Sequence, residues 1–216
     1  QTKVDDEVIL YVSGHGLLDK SYDFYFATYD MNFKNPAKRG ILYDDLEGLL
    51  DGIPARKKLL LMDACHSGEV DKEDIRISDS LLANNEVKGD MKVYSYKGTI
   101  IEDEESSGLG LQNSFELMQE LFANLSRGSG AVVISAASGI GYALESAEWN
   151  NGVFTYCILN GLKNKDGKMP ADANNDGQVS VSELKDYVSV EVERLTNGAQ
   201  KPTSRRESLE FDWRLW

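Results

Sequence analysis

The sequence predicts an α/β fold in which a mostly parallel central sheet is flanked by helices. Three apolar runs, at 8–12 (VILYV), 58–62 (KLLLM) and 131–135 (AVVIS), have the length and composition of buried strands. Helical patterns fall between and after them, at 43–50, 115–125, 152–162 and 183–195. Strands alternating with helices bury both faces of a sheet, which is the layered arrangement of α/β domains.

The first run, 8–12, ends in Ser13-Gly14-His15-Gly16. Residues 22–29 read as a second strand or extended segment. Residues 43–50 read as a short helix stopped by Gly52 and Pro54. The run 58–62 leads into Asp63-Ala64-Cys65-His66-Ser67-Gly68. Residues 69–113 turn polar, with one weak strand-like piece at 92–96, and read as a long loop carrying short strands, of the kind that is functional or mobile in compact domains. Ser114 caps a helix whose apolar positions include Phe115, Met118 and Phe122. After the strand 131–135 come a helix at 152–162, an acidic loop at 172–183, a helix to about 195, and an irregular tail with Trp213 and Trp216.

The chain of 216 residues suits one domain, 1–216. Its hydrophobic content of 41% is that of a globular chain, and no apolar run is long enough to span a bilayer. The net charge of −13 repels nucleic-acid phosphates and anionic lipid and favours basic peptides and divalent cations. Direct nucleic-acid or membrane binding is therefore not expected. The bland reading, that the acidity serves solubility alone, stands beside this one. Two cysteines, Cys65 and Cys157, argue against a disulfide scaffold and for a reducing, cytoplasmic setting.

In open α/β sheets, ligands bind at the carboxyl ends of strands. Both the His15 and the Cys65 segments lie at such ends. A thiol needs a base to become a thiolate, and a facing imidazole supplies one and later protonates the leaving amine. His66 adjoins Cys65, but neighbours along a strand point apart, so His15 is the expected base. Gly14 and Gly16 allow close approach of a substrate backbone, and the N–H groups of Gly16 and Cys65 are candidate oxyanion donors. Cys157 lies in an apolar helical run and reads as core. Two His and two Cys lack the spacing of a zinc site.

These two segments, 50 residues apart from His15 to Cys65, resemble the signature segments of caspase-like cysteine peptidases (family C14), closest to metacaspases and bacterial orthocaspases. The segments around Ser135 and Gly152 also resemble the small-subunit half of that clan. The resemblance implies a three-layer caspase-like sandwich, with 1–68 as the large-subunit part, 69–113 as a processing loop and 114–216 as the small-subunit part. It implies a Cys65–His15 endopeptidase that needs no cofactor for its chemistry. It implies a regulated effector protease, as in bacterial signalling or defence. Relatives carry a strand and helix before the His-bearing strand. An N-terminal segment or a sensor or scaffold module is therefore expected to complete the fold.

In metacaspases, residues matching Asp63 and Ser13 line a pocket for Arg or Lys, so cleavage after basic residues is implied. Ser135 is a further candidate in the substrate site. Asp63 stands where caspases carry Gln, and two other readings remain open. One is an Asp-specific caspase-type protease, and the other is a catalytically silent scaffold with a caspase-like fold. If specificity is basic, Arg76, Lys88, Lys92 and Lys97 make 69–113 a target for self-cleavage.

Residues 172–183 fit an EF-hand loop, with Asp172, Asn174, Asp176, Gln178 (through its carbonyl) and Glu183 as candidate calcium ligands and Gly177 at the turn. Pro170 opposes an incoming helix, so the loop is EF-like without its first helix. A metal-free turn rich in Asp and Asn is the alternative. Asp30, Asp44 and Asp45 resemble part of a second, activating calcium site of metacaspases, although Lys72 stands where that site has a further ligand.

Overall fold

The computed structural model describes residues 2–19, 21, 23–66, 91–94, 131–136, 143–146, 151–198, 200–205 and 212–216. Six strands form one sheet. They are β1 (Glu7–Leu18), β2 (Phe24–Phe26), β3 (Ile41–Leu42), β4 (Lys57–His66), β6 (Ala131–Ser135) and β9 (Thr203–Arg205), and their spatial order is β3-β2-β1-β4-β6-β9. The central strands β1, β4 and β6 are parallel, and β2, β3 and β9 join antiparallel at the flanks. A smaller antiparallel sheet holds β5 (Met91–Tyr94), β7 (Ala143–Ser146) and β8 (Asn151–Gly152). Three helices are described: α1 (Tyr43–Asp51), α2 (Val153–Gly161) and α3 (Val181–Leu195).

Strand β4 shows why the apolar run 58–62 is so legible. Leu59 and Leu61 face one core with Val132, Ile134, Phe154 and Leu184, on the side of α2 and α3. Leu60, Met62 and Ala64 face the other core with Phe24, Tyr43, Leu50 and Val133, on the side of α1. A strand covered on both faces has no polar alternation, so its sequence reads as a continuous apolar run.

The run 8–12 has the same look but a different setting. Leu10 and Val12 are partly buried against the α1-side core, while Ile9 is 52% and Tyr11 45% exposed on the other face. The expected buried strand is therefore a half-covered one. Among the described residues, no strand pairs with the second edge of β1 over residues 7–14. An apolar run cannot by itself distinguish these two settings.

The extended reading of 22–29 shrinks to the three residues of β2, and the weak piece at 92–96 corresponds to β5. The helix expected at 115–125 lies outside the described residues, as does most of the loop 69–113. No described helix is long and apolar enough to cross a membrane.

Candidate active site

The parallel register of β1 on β4 runs unbroken from Glu7 opposite Lys57 to Gly16 opposite His66. It sets Ser13 opposite Asp63 and His15 opposite Cys65. Adjacent strands lie about 4.8 Å apart, so each pair is a nearest-neighbour pair across the sheet. His15 is exposed, and its carbonyl accepts from the Ala27 N–H at 2.8 Å, which ties the end of β1 to the segment after β2. Gly16 is buried, opposite both His66 on β4 and Phe26 on β2. Gly14 takes φ +156, a value that side-chain-bearing residues rarely adopt.

Asp63 is 7% exposed on the α2 side of the sheet. Its Oδ2 accepts a hydrogen bond from Thr155 Oγ1 on α2. Thr155 Oγ1 lies 2.6 Å from the Tyr11 hydroxyl on β1. Gly152, the N-cap of α2, offers no capping side chain, and a Cβ placed there would come within 3.1 Å of Asp63 Oδ2. Asp63 thus lies against the positive end of a helix that lacks a cap of its own. Sequence reading missed Thr155 and Tyr11 as its partners.

Ser135 is brought close in register but not to the same face. It lies opposite Met62 and is 2% exposed. Val132 and Ile134 face the α2 side, and Ala131 and Val133 face the α1 side. Strand alternation therefore puts Ser135 on the α1 face, away from Asp63. Its likeness to a substrate-site residue does not extend to sharing a wall with Asp63.

Cys157 is 1% exposed in the core of α2, and burial pushes its thiol up to about 12. It is an inert core thiol, as its apolar surroundings suggest.

The acidic loop stands apart from this rim in sequence. No helix enters it: α2 ends at Gly161, and a tight turn with Asp166 at φ 54 and Gly167 at φ 80 follows. Asp172 accepts from the N–H groups of Asp176 and Gly177, and Asn174 Oδ1 also accepts from Asp176 N–H. Asp176 accepts from Gln178 N–H. Glu183 Oε1 accepts from Ala173 and Asn174 N–H, and its Oε2 from Ser180 N–H, completing a capping box on α3. The oxygen donors at positions 1, 3, 5 and 12 suit a hard cation. Here they are turned onto the loop's own N–H groups. Among the described residues, no three His, Cys, Asp or Glu side chains are gathered as a metal site. Asp30, of the second candidate set, is ion-paired to Arg39 at 2.6 Å, and the Thr28 hydroxyl and Arg39 hold its carboxyl below the usual range. Asp44 and Asp45 are exposed in the first turn of α1.

The family model described as caspase domain, peptidase C14, matches residues 1–213. The match covers nearly all of the 216 residues, and the chain belongs to that family of cysteine peptidases. No curated protein matches the chain.

Proposed function

We propose that this C14 chain is a cysteine endopeptidase with Cys65 as nucleophile and His15 as base. The supporting observation is the register that sets His15 opposite Cys65 at the carboxyl ends of two parallel strands. In this reading His15 takes the Cys65 proton, and the thiolate attacks the scissile carbonyl carbon. The carbonyl π electrons move to oxygen, where the N–H groups of Gly16 and Cys65 stabilise the oxyanion. Collapse expels the amine, which takes the proton from His15. Water then cleaves the thioester with His15 as base and regenerates the thiol. A reducing cytoplasm keeps that thiol available.

Asp63, with Ser13 opposite it, is the proposed seat of a basic P1 side chain, because a carboxylate there pairs with a guanidinium or ammonium. Labelling with an Arg-directed acyloxymethyl ketone tests the whole reading. Adduct on Cys65, absent from Cys65→Ala, is expected. An unlabelled wild type, with and without calcium, would instead favour the silent scaffold. Labelling by an Asp-directed reagent alone would favour caspase-type specificity.

Three regulatory features belong to the same proposal. Self-cleavage within 69–113 would release product masses that Cys65→Ala does not yield. Calcium would occupy the loop through Asp172, Asn174, Asp176, the Gln178 carbonyl and Glu183. A segment or module supplied from outside the described fold would cover Ile9 and Tyr11 on β1, the half-exposed apolar face noted above. Such a protease would serve as a regulated effector in bacterial signalling or defence.

A further inference from the structure

Tyr11, Thr155 and Asp63 form a hydrogen-bonded row across β1, α2 and β4. The Thr155 hydroxyl donates to the Asp63 carboxyl, and it has one proton to give. The Thr155 proton therefore goes to Asp63, and Tyr11 must donate its own to Thr155. The row has one direction, from Tyr11 through Thr155 to Asp63, and each bond polarises the next.

We propose that Thr155 and Tyr11 are positioning residues that set the orientation of the Asp63 carboxylate for a basic substrate side chain. The inference rests on the reading of Asp63 as the P1 residue. Thr155 clamps Oδ2 from one side. Gly152 lies so near that an added Cβ would reach Oδ2 at 3.1 Å and Oδ1 at 3.6 Å. The carboxylate is thereby held between a hydroxyl and a backbone, on a strand buried on both sides. Tyr11 holds Thr155 in the donating rotamer. These contacts are long-range: Thr155 is 92 residues from Asp63 and 144 from Tyr11.

Orientation matters unequally for the two basic side chains. A guanidinium docks on a carboxylate through two parallel bonds and needs the carboxylate plane in one place. An ammonium is a point charge that tolerates a turned carboxylate. Loss of the clamp should therefore cost arginine substrates more than lysine substrates. General loosening of the fold would lower both alike.

The test is kcat/KM on a matched pair of peptides differing only in Arg or Lys at P1, for wild type, Thr155→Val, Thr155→Ser, Tyr11→Phe and Asp63→Asn. A hydrogen bond to a charged group is worth about tenfold or more, so Thr155→Val should lower the Arg substrate by ~10-fold. The Lys substrate should fall by only ~2-fold, with the Arg loss carried mainly in KM. Thr155→Ser should restore the Arg-to-Lys ratio, and Tyr11→Phe should shift it the same way by a smaller factor. Equal losses on both substrates, or a Thr155→Ser variant that behaves as Thr155→Val, would overturn the proposal. Should Thr155→Val fail to fold, Tyr11→Phe decides alone: an unchanged ratio overturns it. Asp63→Asn separates the underlying reading. If that variant keeps the basic preference, Asp63 is not the P1 residue. If it loses the preference while the Thr155 variants keep the wild-type ratio, only the clamp is wrong.

Discussion

The rim of β1 and β4 brings together residues fifty positions apart, whereas the loop 172–183 draws its polar groups from twelve consecutive residues. At the rim, His15, Cys65, Ser13 and Asp63 meet only because two parallel strands pair in one register. Asp63 is then oriented by Thr155 and Tyr11, again from remote parts of the chain. In the loop, Asp172, Asn174 and Asp176 accept from N–H groups two to five residues away. Among the described residues, its exit is tied to the distant C-terminal segment. Val179 N–H donates to the Trp216 carbonyl at 2.9 Å, and Leu215 N–H donates to the Val179 carbonyl at 2.8 Å. Chemistry that needs several groups aimed at one atom requires tertiary register. A turn that satisfies its own backbone does not.

The largest expected effect separates the two regions outright. Cys65→Ala and His15→Ala should each lower peptide hydrolysis by ~10³-fold or more, measured as kcat/KM on an Arg peptide. If calcium occupies the loop as proposed, its effect on the fluorescence of the adjoining Trp213 and Trp216 should be unchanged in both. A calcium response lost with the dyad would mean the regions are not independent. Next in size, Asp63→Asn should cost basic substrates about 10²-fold, because it would remove the carboxylate of the proposed pair with a basic P1 side chain. A P1 library that still prefers Arg or Lys would remove Asp63 from the pocket.

Cys157 gives a smaller effect with a defined pH window. Burial pushes its thiol up to about 12, above the value near 8.5 of an unfolded cysteine. The folded state binds this proton more tightly than the unfolded state. Its contribution to stability is thus fully present below pH ~8.5 and is lost as pH rises toward 12. Urea unfolding from pH 8 to 11 should show a shallower decline for Cys157→Val than for wild type. At pH 8 an alkylating reagent should modify Cys65 and spare Cys157 in the native protein. The smallest effect is at the loop exit. Ser180→Ala removes the capping box of α3 and should cost about 1 kcal/mol in urea unfolding, with kcat/KM preserved. A loss of activity there would tie the loop to the rim.

Much of this was legible in advance where the physics is local. The runs at 58–62 and 131–135 announce β4 and β6 because both faces of each are covered, and the helices 152–162 and 183–195 agree with α2 and α3 within two residues at each end. The EF-like spacing is visible because a turn of that kind is specified by consecutive residues. The short flanking strands β3 and β9 carry two and three residues, too few for a period to register. Thr155 had no signal at all: a threonine on a helix is unremarkable until the strand it faces is known.

Residue types and their spacing, read along the chain, were enough to name the α/β class, the His15 and Cys65 segments and the acidic loop. Each depends on periodicity or on a contiguous motif. Packing across the sheet decided the rest. It exposed Ile9 and Tyr11 on a strand that reads as buried, and it turned Ser135 to the face away from Asp63. It also placed the Thr155 hydroxyl on that carboxylate. Those outcomes depend on which strand lies beside which, a relation between distant segments that no local window contains.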